Sequence, residues 1–145
     1  MRLEPITAAN WRAAAALRVA PGQRELVAEF EPVALVILAR AYVGFEGIWH
    51  PIAIYEDQLV GVMGLVDEGE TWALRTFMID QRFQQQGHGR AAVIAAMSYV
   101  RERGAEALRL TVHPANAAGR QLYESLGFVY TGPRGGDLGM VGHVG

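Results

Sequence analysis

A glycine-bearing loop between a predicted strand and a predicted helix is the segment of this sequence best suited to carry chemistry. The loop runs Gln84-Gln85-Gln86-Gly87-His88-Gly89-Arg90, after an apolar run and directly before an amphipathic stretch. This order exposes unpaired backbone N–H groups at the positive end of a helix dipole, where a pyrophosphate binds well. The two glycines let the backbone approach the anion closely, and Arg82 and Arg90 can add charge-assisted hydrogen bonds. Glycine spacing alone is equally compatible with a plain strand-to-helix turn.

The residue types that are missing restrict the chemistry further. The 145-residue chain contains no cysteine and no lysine, so all 13 basic residues are arginines, and Ser98 and Ser125 are its only serines. Disulfides, thiolate nucleophiles, cysteine-based zinc sites, lysine Schiff bases and a Walker A phosphate loop are therefore excluded. The chemistry must depend on the backbone, carboxylates, tyrosine, histidine and arginine. We expect no metal site.

Length, composition and charge predict one small globular domain over residues 1–145. Hydrophobic residues make up 51% and charged residues 19% of the chain, which is typical of a domain with a core of its own. A net charge of −2 and a pI near 6.1 argue against a nucleic-acid partner. The sequence shows neither a signal-peptide pattern nor an uninterrupted apolar stretch of about 18 residues. We therefore expect no membrane partner and a cytoplasmic location.

The first third of the chain is predicted to be mainly helical. An alanine-rich stretch follows Asn10, a residue that favours the N-cap position. Pro5 is tolerated in a sheet only at an edge, and Pro32 is expected to interrupt a helix. The predicted elements are an edge strand at 2–6, a helix from Asn10 to about Val19 before Pro21-Gly22, and a second helical region over about 23–39, with 40–50 unassigned.

The rest of the chain is predicted to alternate between strands and helices. Three apolar or alternating runs are separated by short polar turns, which favours antiparallel strands joined by hairpins. Val93, Met97 and Val100 recur at helical spacing, and Asn116 and Gly127 are expected to bound a later helix. The predicted elements are strands at Ile52–Tyr55, Leu59–Val66 and Thr71–Ile79, a helix at Arg90–Arg103, a strand at Ala107–Val112, a helix at Ala117–Leu126 and a strand beginning at Phe128–Thr131. The tail from Gly132 holds six glycines, so its structure is expected to be poorly specified.

Two segments resemble the signature motifs of one enzyme superfamily. Gln84-Gln85-Gln86-Gly87-His88-Gly89 matches the Gln/Arg-x-x-Gly-x-Gly/Ala signature of the GNAT superfamily of acyl-CoA N-acyltransferases. Asn116-Ala117-Ala118-Gly119-Arg120-Gln121-Leu122-Tyr123-Glu124-Ser125-Leu126-Gly127-Phe128 is similar to its Asn-x6-Tyr-Glu-x-x-Gly-Phe segment. The resemblance covers at least residues 52–131. It implies an α/β (α+β) fold with a central mixed, mostly antiparallel twisted sheet flanked by helices, in which two parallel central strands splay for acyl-CoA.

A finer resemblance points to the diamine and spermidine N-acetyltransferase branch. It rests on Phe77-Met78-Ile79-Asp80, on Leu122–Phe128 followed by Thr131-Gly132, and on the hairpin Ile52–Gly64. The branch implies transfer of acetyl from acetyl-CoA to a primary amine of a small, polyamine-like molecule. Since the chain has no cysteine or lysine to carry the acetyl group, direct attack by the amine in a ternary complex is the simplest route.

The superfamily resemblance also implies roles for single residues. Acetyl-CoA is expected between the strands Thr71–Ile79 and Ala107–Val112, and Tyr123 is expected to be the catalytic general acid for the departing thiolate. From the residues alone, Asn116 is also a good helix N-cap, and Tyr123 is also a helix residue that packs under Phe128. The residues implied in acetyl-CoA binding are Phe77, Met78, Ile79, Gln84, Gln85, Gln86, Gly87, His88, Gly89, Arg90, Asn116 and Tyr123.

The general base is not evident from the sequence. The superfamily often places a glutamate within the central strand, but this chain has Trp72-Ala73-Leu74-Arg75-Thr76 there. An amine acceptor arrives protonated, so a carboxylate, a histidine or a water chain must take its proton. The candidates are Glu70, Asp80, Glu29, Glu31, His113 and a water relay.

The acceptor is expected to bind among the N-terminal helices and the hairpin loops, because the other elements are committed to CoA. Carboxylates beside aromatic rings suit a polyamine cation through charge pairing and cation–π contact, although glutamates on a helix are usually only a solvated face. The residues concerned are Glu25, Glu29, Glu31 and Glu46, with Phe30, Tyr42, Phe45 and Trp49 nearby. Asp137 is the only acidic residue of the tail, which weakens the polyamine assignment.

Several alternatives stay open. A catalytically silent acyl-CoA-binding or regulatory module has the same fold, and the missing strand carboxylate is compatible with it. The acceptor of an active enzyme can instead be an amino acid, a protein N-terminus or an aminoglycoside. An anion-binding domain outside the superfamily is a third interpretation. A homodimer, which is common in the superfamily, is compatible with the sequence.

Overall fold

The computed structural model describes residues 1–28 and 30–145. Its helices and strands alternate much as the sequence predicts. In chain order they are β1 (Arg2–Pro5), α1 (Trp11–Ala15), α2 (Arg24–Val27), α3 (Val33–Val43), β2 (Ile48–Tyr55), β3 (Leu59–Asp67), β4 (Trp72–Ile79), α4 (His88–Glu102), β5 (Ala107–Val112), α5 (Ala117–Ser125), β6 (Val129–Arg134) and β7 (Asp137–His143), with a 3-10 turn at Gln81–Phe83 between β4 and α4.

The strands form a single sheet in the order β1-β2-β3-β4-β5-β7-β6. Neighbouring strands are antiparallel except β4 and β5, which are parallel. β1 lies at one edge, where the missing N–H of Pro5 is tolerated. Hairpins join β2, β3 and β4, as the polar turns predict. The mixed, mostly antiparallel sheet with one parallel central pair is thereby confirmed.

Helix α1 is shorter than the sequence predicts. It ends at Ala15 rather than near Val19, and the Asn10 side chain accepts from the N–H of Thr7 instead of capping the helix. Beyond the helix, the N–H of Arg18 donates to the Asp80 carboxylate at 2.8 Å. This contact with the end of β4 replaces the next helical turn, because the chain here is held by the sheet and not by its own local propensity.

The second helical region is interrupted at Pro32, as expected, but its parts differ from the prediction. Among the described residues of this region before Pro32, Arg24–Val27 alone is helical, and α3 continues beyond residue 39 to Val43. The helix ends at Gly44, where φ is 66°, a left-handed conformation that favours glycine. In the described ranges, no helix is both long enough and apolar enough to cross a membrane.

Helices cover both faces of the sheet. On one face α4 and α5 pack around Leu65, Leu74 and Leu108, and on the other face α1 and α3 pack around Val66 and Ala73. Consecutive residues of a strand belong to opposite faces because strand side chains alternate. A strand buried on both faces must be apolar throughout, which accounts for the unbroken apolar sequence of β3.

The expectation of a poorly specified C-terminal tail is wrong. The strand predicted from Phe128 runs from Val129 to Arg134, and a second strand, β7, follows and inserts between β5 and β6. A glycine is needed here, since a Cβ on Gly142 would lie 2.9 Å from the ring of Phe128. Met140 fills the core from the same strand and is 2% exposed. The glycines of this segment therefore allow close packing instead of marking disorder.

The two parallel central strands pair over only a short length. Trp72–Leu74 of β4 pairs with Leu108–Leu110 of β5, and the pairing stops there. Beyond Leu74, β4 carries a bulge against β3, because Gly64 pairs with Arg75 while Val62 pairs with Met78. Thr76, within the bulge, has a φ of 56°, which is costly for a β-branched residue. A bulge bends its strand, and β4 and β5 separate from this point to their carboxyl ends.

Substitution of Gly64 tests how much the close packing opposite this bulge contributes to stability. A Cβ at Gly64 would lie 2.4 Å from the Trp49 ring and 3.1 Å from the carbonyl oxygen of Arg75. We expect Gly64→Ala to lower the free energy of unfolding by roughly 1–3 kcal/mol, the usual cost of overpacking. Urea denaturation measures this change. Gly136→Ala is the control, because a Cβ there meets nothing within 4 Å. Equal stability of the two variants would contradict the packing argument.

Candidate active site

A cavity of about 680 Å³ opens where β4 and β5 separate. We call it the central cavity. Its walls come from α2, the end of α3, the middle of β4, the end of β5, α5 with its N-cap, and the β6–β7 hairpin. Three of the predicted site residues line it, namely Phe77, Asn116 and Tyr123. The structure thus joins parts of the chain that are far apart in sequence at the gap between the two parallel strands.

The backbone of β4 presents polar groups to this gap. The N–H of Asp80 donates to the carbonyl of Val60 in β3, at 2.8 Å. Since successive residues of a strand direct their polar groups to alternate sides, Ile79 directs its N–H away from β3, towards the edge where the pairing with β5 has ended. The Ile79 carbonyl accepts from the Gln84 side chain at 2.9 Å. Met78 differs, because it pairs with Val62 and its side chain is buried in the core.

The glycine-bearing loop forms the N-terminus of α4, two residues earlier than the predicted helix start. Gly87 is the N-cap, with a φ of 82°, and its carbonyl accepts from Ala91. The backbone N–H groups of residues 88–90 therefore belong to the open first turn, which has no preceding helical carbonyl to bond. Gln85, Gln86 and Gly87 are exposed. The first turn of α4 thus offers open N–H groups beside an exposed loop, and pyrophosphate binding there stays a prediction.

Side chains around the loop are tied to other parts of the fold. Gln84 exchanges two hydrogen bonds with Gln23, at 2.8 and 3.2 Å. Arg82 donates from Nε to Asp80 at 2.8 Å, and Arg90 donates to the Ser125 hydroxyl at 2.7 Å. Both arginines keep further N–H donors, since each guanidinium carries five.

Asn116 is the N-cap of α5, as the residue pattern predicts. Its Oδ1 accepts from the N–H of Gly119 at 2.9 Å. A Cβ at Gly119 would lie 2.6 Å from Asn116 Nδ2, so the glycine makes room for the cap. The capping role and the position in the cavity wall hold together.

Tyr123 is buried under Phe128, and it also lines the central cavity. The two ring centroids are 5.8 Å apart. Burial raises the pKa of Tyr123 to about 12, because a tyrosinate would lose its hydration in this position. The phenol therefore keeps its proton throughout the neutral range and is available as a hydrogen-bond donor.

Asp80, a candidate general base, is committed to structural contacts. Its carboxylate is buried and accepts from the N–H groups of Arg18 and Arg82 and from Arg82 Nε, at 2.8, 3.0 and 2.8 Å. Burial alone would raise the pKa of the carboxyl, but the hydrogen bonds from Arg82 and Arg18 outweigh it and lower the pKa. Asp80 ties α1 to the end of β4.

The other candidate bases are scattered. Glu70 is exposed in the β3–β4 turn, and Glu31 is exposed on a separate groove beside α3. Glu29 lies outside the described residues. His113 follows β5 and lines the central cavity, where its Nδ1 accepts from the N–H of Ala115 at 3.0 Å.

The aromatic and acidic residues predicted around the acceptor are separated. Glu25 and Glu46 line the central cavity. Phe30 and Phe45 line the groove beside α3, as Glu31 does. Tyr42 is 92% exposed, and Trp49 is buried with its indole N–H donated to the Phe45 carbonyl. The cation–π arrangement expected for a polyamine is not assembled at the cavity by the described residues.

Charged residues that the sequence analysis did not single out complete the cavity wall. Glu68 bridges the guanidinium groups of Arg75, at 3.0 Å, and Arg109, and Arg75 also pairs with Glu46 at 2.7 Å. The charge and hydrogen bond of Arg75, with smaller contributions from nearby arginines, lower the pKa of Glu46. A signal was available: Arg75 and Arg109 interrupt otherwise apolar strand sequences. Among the described residues, no group of three or more His, Asp and Glu side chains is placed to hold a metal ion.

Comparison with known sequences identifies the family. Residues 12–128 match the acetyltransferase (GNAT) family. The chain belongs to this family. It is 34% identical over 101 residues to a mycothiol acetyltransferase from Thermobispora bispora, a match that covers 68% of this chain. It spans only 31% of the length of that relative.

Solved structures of other GNAT proteins share the fold. The spermidine N-acetyltransferase from Vibrio cholerae in complex with CoA and spermine superposes with a TM-score of 0.77 at 17% identity, over 98% of this chain and 94% of that one. The ribosomal-protein-S18-alanine N-acetyltransferase from Escherichia coli superposes with a TM-score of 0.72 at 19% identity, over 99% and 93%. These two proteins differ in the acceptors that their names state, so the shared fold does not select an acceptor for this GNAT chain.

Replacement of Asp80 distinguishes a structural role of this residue from a catalytic one. We expect Asp80→Asn to lower the free energy of unfolding by about 2 kcal/mol, because charge-assisted bonds to buried donors are lost. Because folding lowers the pKa of Asp80, its contribution is present above the ordinary pKa of 3.8 and is lost as the pH falls through the folded-state value. The variant should therefore lose less stability than the native protein in acid, as measured by denaturation at several pH values.

Asp57→Asn, in the exposed β2–β3 turn, is the control and should unfold like the native protein. A large fall in turnover of Asp80→Asn without loss of stability would instead support Asp80 as a base.

Proposed function

We propose that this GNAT protein transfers acetyl from acetyl-CoA to a primary amine of a small molecule, by direct attack of the amine on the thioester in a ternary complex. The observation that carries the proposal is the gap between β4 and β5, where Tyr123 and Asn116 line one cavity with the free edge of β4. The family membership supports the same chemistry.

Acetyl-CoA fits the chain at two places. The open N–H groups of residues 88–90 and the exposed loop before them suit the pyrophosphate, because they combine unpaired donors with the helix dipole. The unpaired edge of β4 at Phe77 and Ile79 suits the amide groups of the pantetheine arm, which extend like a short strand. Bound there, acetyl-CoA supplies an activated acetyl group.

In the reaction, the amine nitrogen attacks the carbonyl carbon, the C–N bond forms, and the C–S bond breaks with release of the thiolate. We assign Tyr123 the role of hydrogen-bond donor to the departing sulfur. A pKa of about 12 against about 8.5 for a thiol makes complete proton transfer from the phenol uphill by roughly 5 kcal/mol. A hydrogen bond to the thiolate avoids this cost, and the sulfur gains its proton as the amine releases one.

The proton of the incoming ammonium is proposed to leave through water in the central cavity. His113 is poorly suited to accept it directly. With Nδ1 accepting from Ala115, the neutral imidazole carries its hydrogen on Nε2, so the nitrogen that remains is a donor. The large cavity gives water access to the acceptor side.

The polyamine acceptor stays a prediction. Because a spermidine N-acetyltransferase is among the structural neighbours, diamines are included among the acceptors to be assayed. Amino acids, protein N-termini and aminoglycosides are assayed beside them. A silent acyl-CoA-binding module is the second candidate, favoured by the absence of a carboxylate in β4.

Thiol release in the presence of acetyl-CoA and a panel of amines tests the proposal, because the protein has no cysteine of its own. We expect Tyr123→Phe to lower kcat by about 100-fold or more, with little change in the Kd of acetyl-CoA by calorimetry. Tyr42→Phe, at an exposed site, should keep native turnover. Undiminished kcat in Tyr123→Phe would remove Tyr123 from the mechanism, and binding without turnover of any amine would support the silent module.

His113→Gln tests the route of the proton. If water carries the proton, we expect kcat to stay within about threefold of the native value and the acid limb of the pH profile to remain. A fall of about 100-fold, with loss of that limb, would assign the base to His113.

A further inference from the structure

Four arginines from four elements line the central cavity. They are Arg40 of α3, Arg75 of β4, Arg109 of β5 and Arg134 at the end of β6. Arg40 is held in place by its hydrogen bond to the Thr76 hydroxyl, at 3.0 Å, beside the bulge of β4. Since a guanidinium presents donors in a planar fork, such a group of side chains matches the oxygens of a carboxylate or a phosphate.

The carboxylates bonded to these arginines do not balance their charge. Glu68 pairs with Arg75 and Arg109, and Glu46 pairs with Arg75. Among the described residues, these two carboxylates form ion pairs with Arg75 and Arg109 but not with Arg40 or Arg134. The Glu68 side chain is only 10% exposed, so its carboxylate pairs with the two arginines behind the cavity wall.

Hydrogen-bond donors in the cluster remain open. Arg109 Nε is buried and has no hydrogen-bond partner in residues 1–28 and 30–145. Arg134 is exposed on the β6–β7 hairpin, and in the described part of the chain it forms no ion pair. Arg109 Nε is closed to solvent, so the donors that an oxyanion in the cavity can reach are those of the exposed Arg134 and the remaining N–H groups of the other guanidinium groups, each of which carries five.

Two further carboxylates line the cavity. They are Glu25 of α2 and Asp137 of β7, which lies opposite Arg134 in the register of the β6–β7 hairpin. Among the described residues neither forms an ion pair with the four arginines. The lining therefore offers both guanidinium and carboxylate groups, which is complementary to a molecule that carries both an oxyanion and an ammonium group.

We propose that the acceptor is a primary amine that also carries an oxyanion, a carboxylate or a phosphate, and that Arg40, Arg75, Arg109 and Arg134 bind this oxyanion. The proposal rests on the acetyltransferase function proposed above and names the chemical class of its acceptor. A polyamine has no group for the arginines to bind.

Matched pairs of acceptors test the proposal by thiol release. Each standard amino acid that has a primary amine is compared with its carboxamide, and ethanolamine phosphate is compared with ethanolamine. Spermidine and putrescine are included. We expect kcat/KM to be at least about 10-fold higher for an acid than for its neutral partner, the usual effect of a charge-assisted hydrogen bond. The amino acids and ethanolamine phosphate distinguish a carboxylate from a phosphate. Equal rates within every pair, or a preference for the diamines, would overturn the proposal while leaving the acetyltransferase function intact.

Arg134→Gln provides the matched variant, because the Arg134 side chain is exposed and its removal leaves the core packing unchanged. We expect it to raise KM for the acidic acceptor by about 10-fold and to leave KM for acetyl-CoA unchanged. Arg101→Gln removes the same charge from the exposed surface of α4 and should keep the native preference. An identical preference in both variants would remove Arg134 from the site.

If no amine supports thiol release, the acetyltransferase function fails, and binding alone then decides the acceptor class. The measurement is the Tm of the CoA-loaded protein with N-acetylglycine or with N-acetylglycinamide. A rise with the acid alone, reduced in Arg134→Gln, supports an oxyanion site. Equal shifts, or none, overturn it.

Discussion

The separation of β4 and β5 is the constraint on which the rest of this structure depends. Parallel strands that pair at Trp72–Leu74 and then diverge leave backbone N–H and C=O groups inside the domain without their usual partners. Such groups are costly unless something bonds to them. A gap of this kind persists only if the fold enforces it, and here the bulge at Thr76 and the glycine opposite it do so. The gap is consequently a built feature of the sheet.

Buried charges fix the geometry on both sides of the gap. Asp80 holds the chain after α1 against the end of β4, and Glu68 holds Arg75 and Arg109 side by side across the two separating strands. Buried ion pairs contribute little net stability, because desolvation offsets their attraction. Removal of one partner is nevertheless expensive, since the other charge stays buried. These pairs therefore specify the arrangement of the strands more than they stabilise it.

The sequence predicted the parts of the fold that depend on local pattern. The three-stranded meander, α4 and β5 follow from alternating or helical spacing, and Asn116 caps α5 as its position before an amphipathic segment indicates. The early end of α1 could not be predicted, because it depends on a contact between Arg18 and a residue 62 positions later. The start of β6 was predicted, but β7 was missed because glycine is unfavourable in isolated strands, whereas Gly142 is required by the ring of Phe128.

The candidate site, like the fold, could be predicted from the sequence only in part. The Gln84–Arg90 loop and the segment that contains Tyr123 are each continuous in sequence, so they could be recognised. The arginines of the cavity wall come from α3, β4, β5 and β6 and meet only in the folded sheet. Their charge is visible in the sequence, but their convergence is not. Predictions for the acceptor side therefore selected the aromatic residues near α3, which the fold places elsewhere.

The reciprocal amide pair between Gln23 and Gln84 joins two parts of the protein that have separate tasks. Gln84 belongs to the glycine-bearing loop, and Gln23 directly precedes α2, whose residues Glu25–Val27 form part of the cavity wall. A ligand that fixes the loop also restricts α2 through these two hydrogen bonds, and by thermodynamic linkage the effect is the same in both directions. In the proposed ternary complex, the two substrates would thus bind cooperatively without touching each other, through a single pair of glutamines.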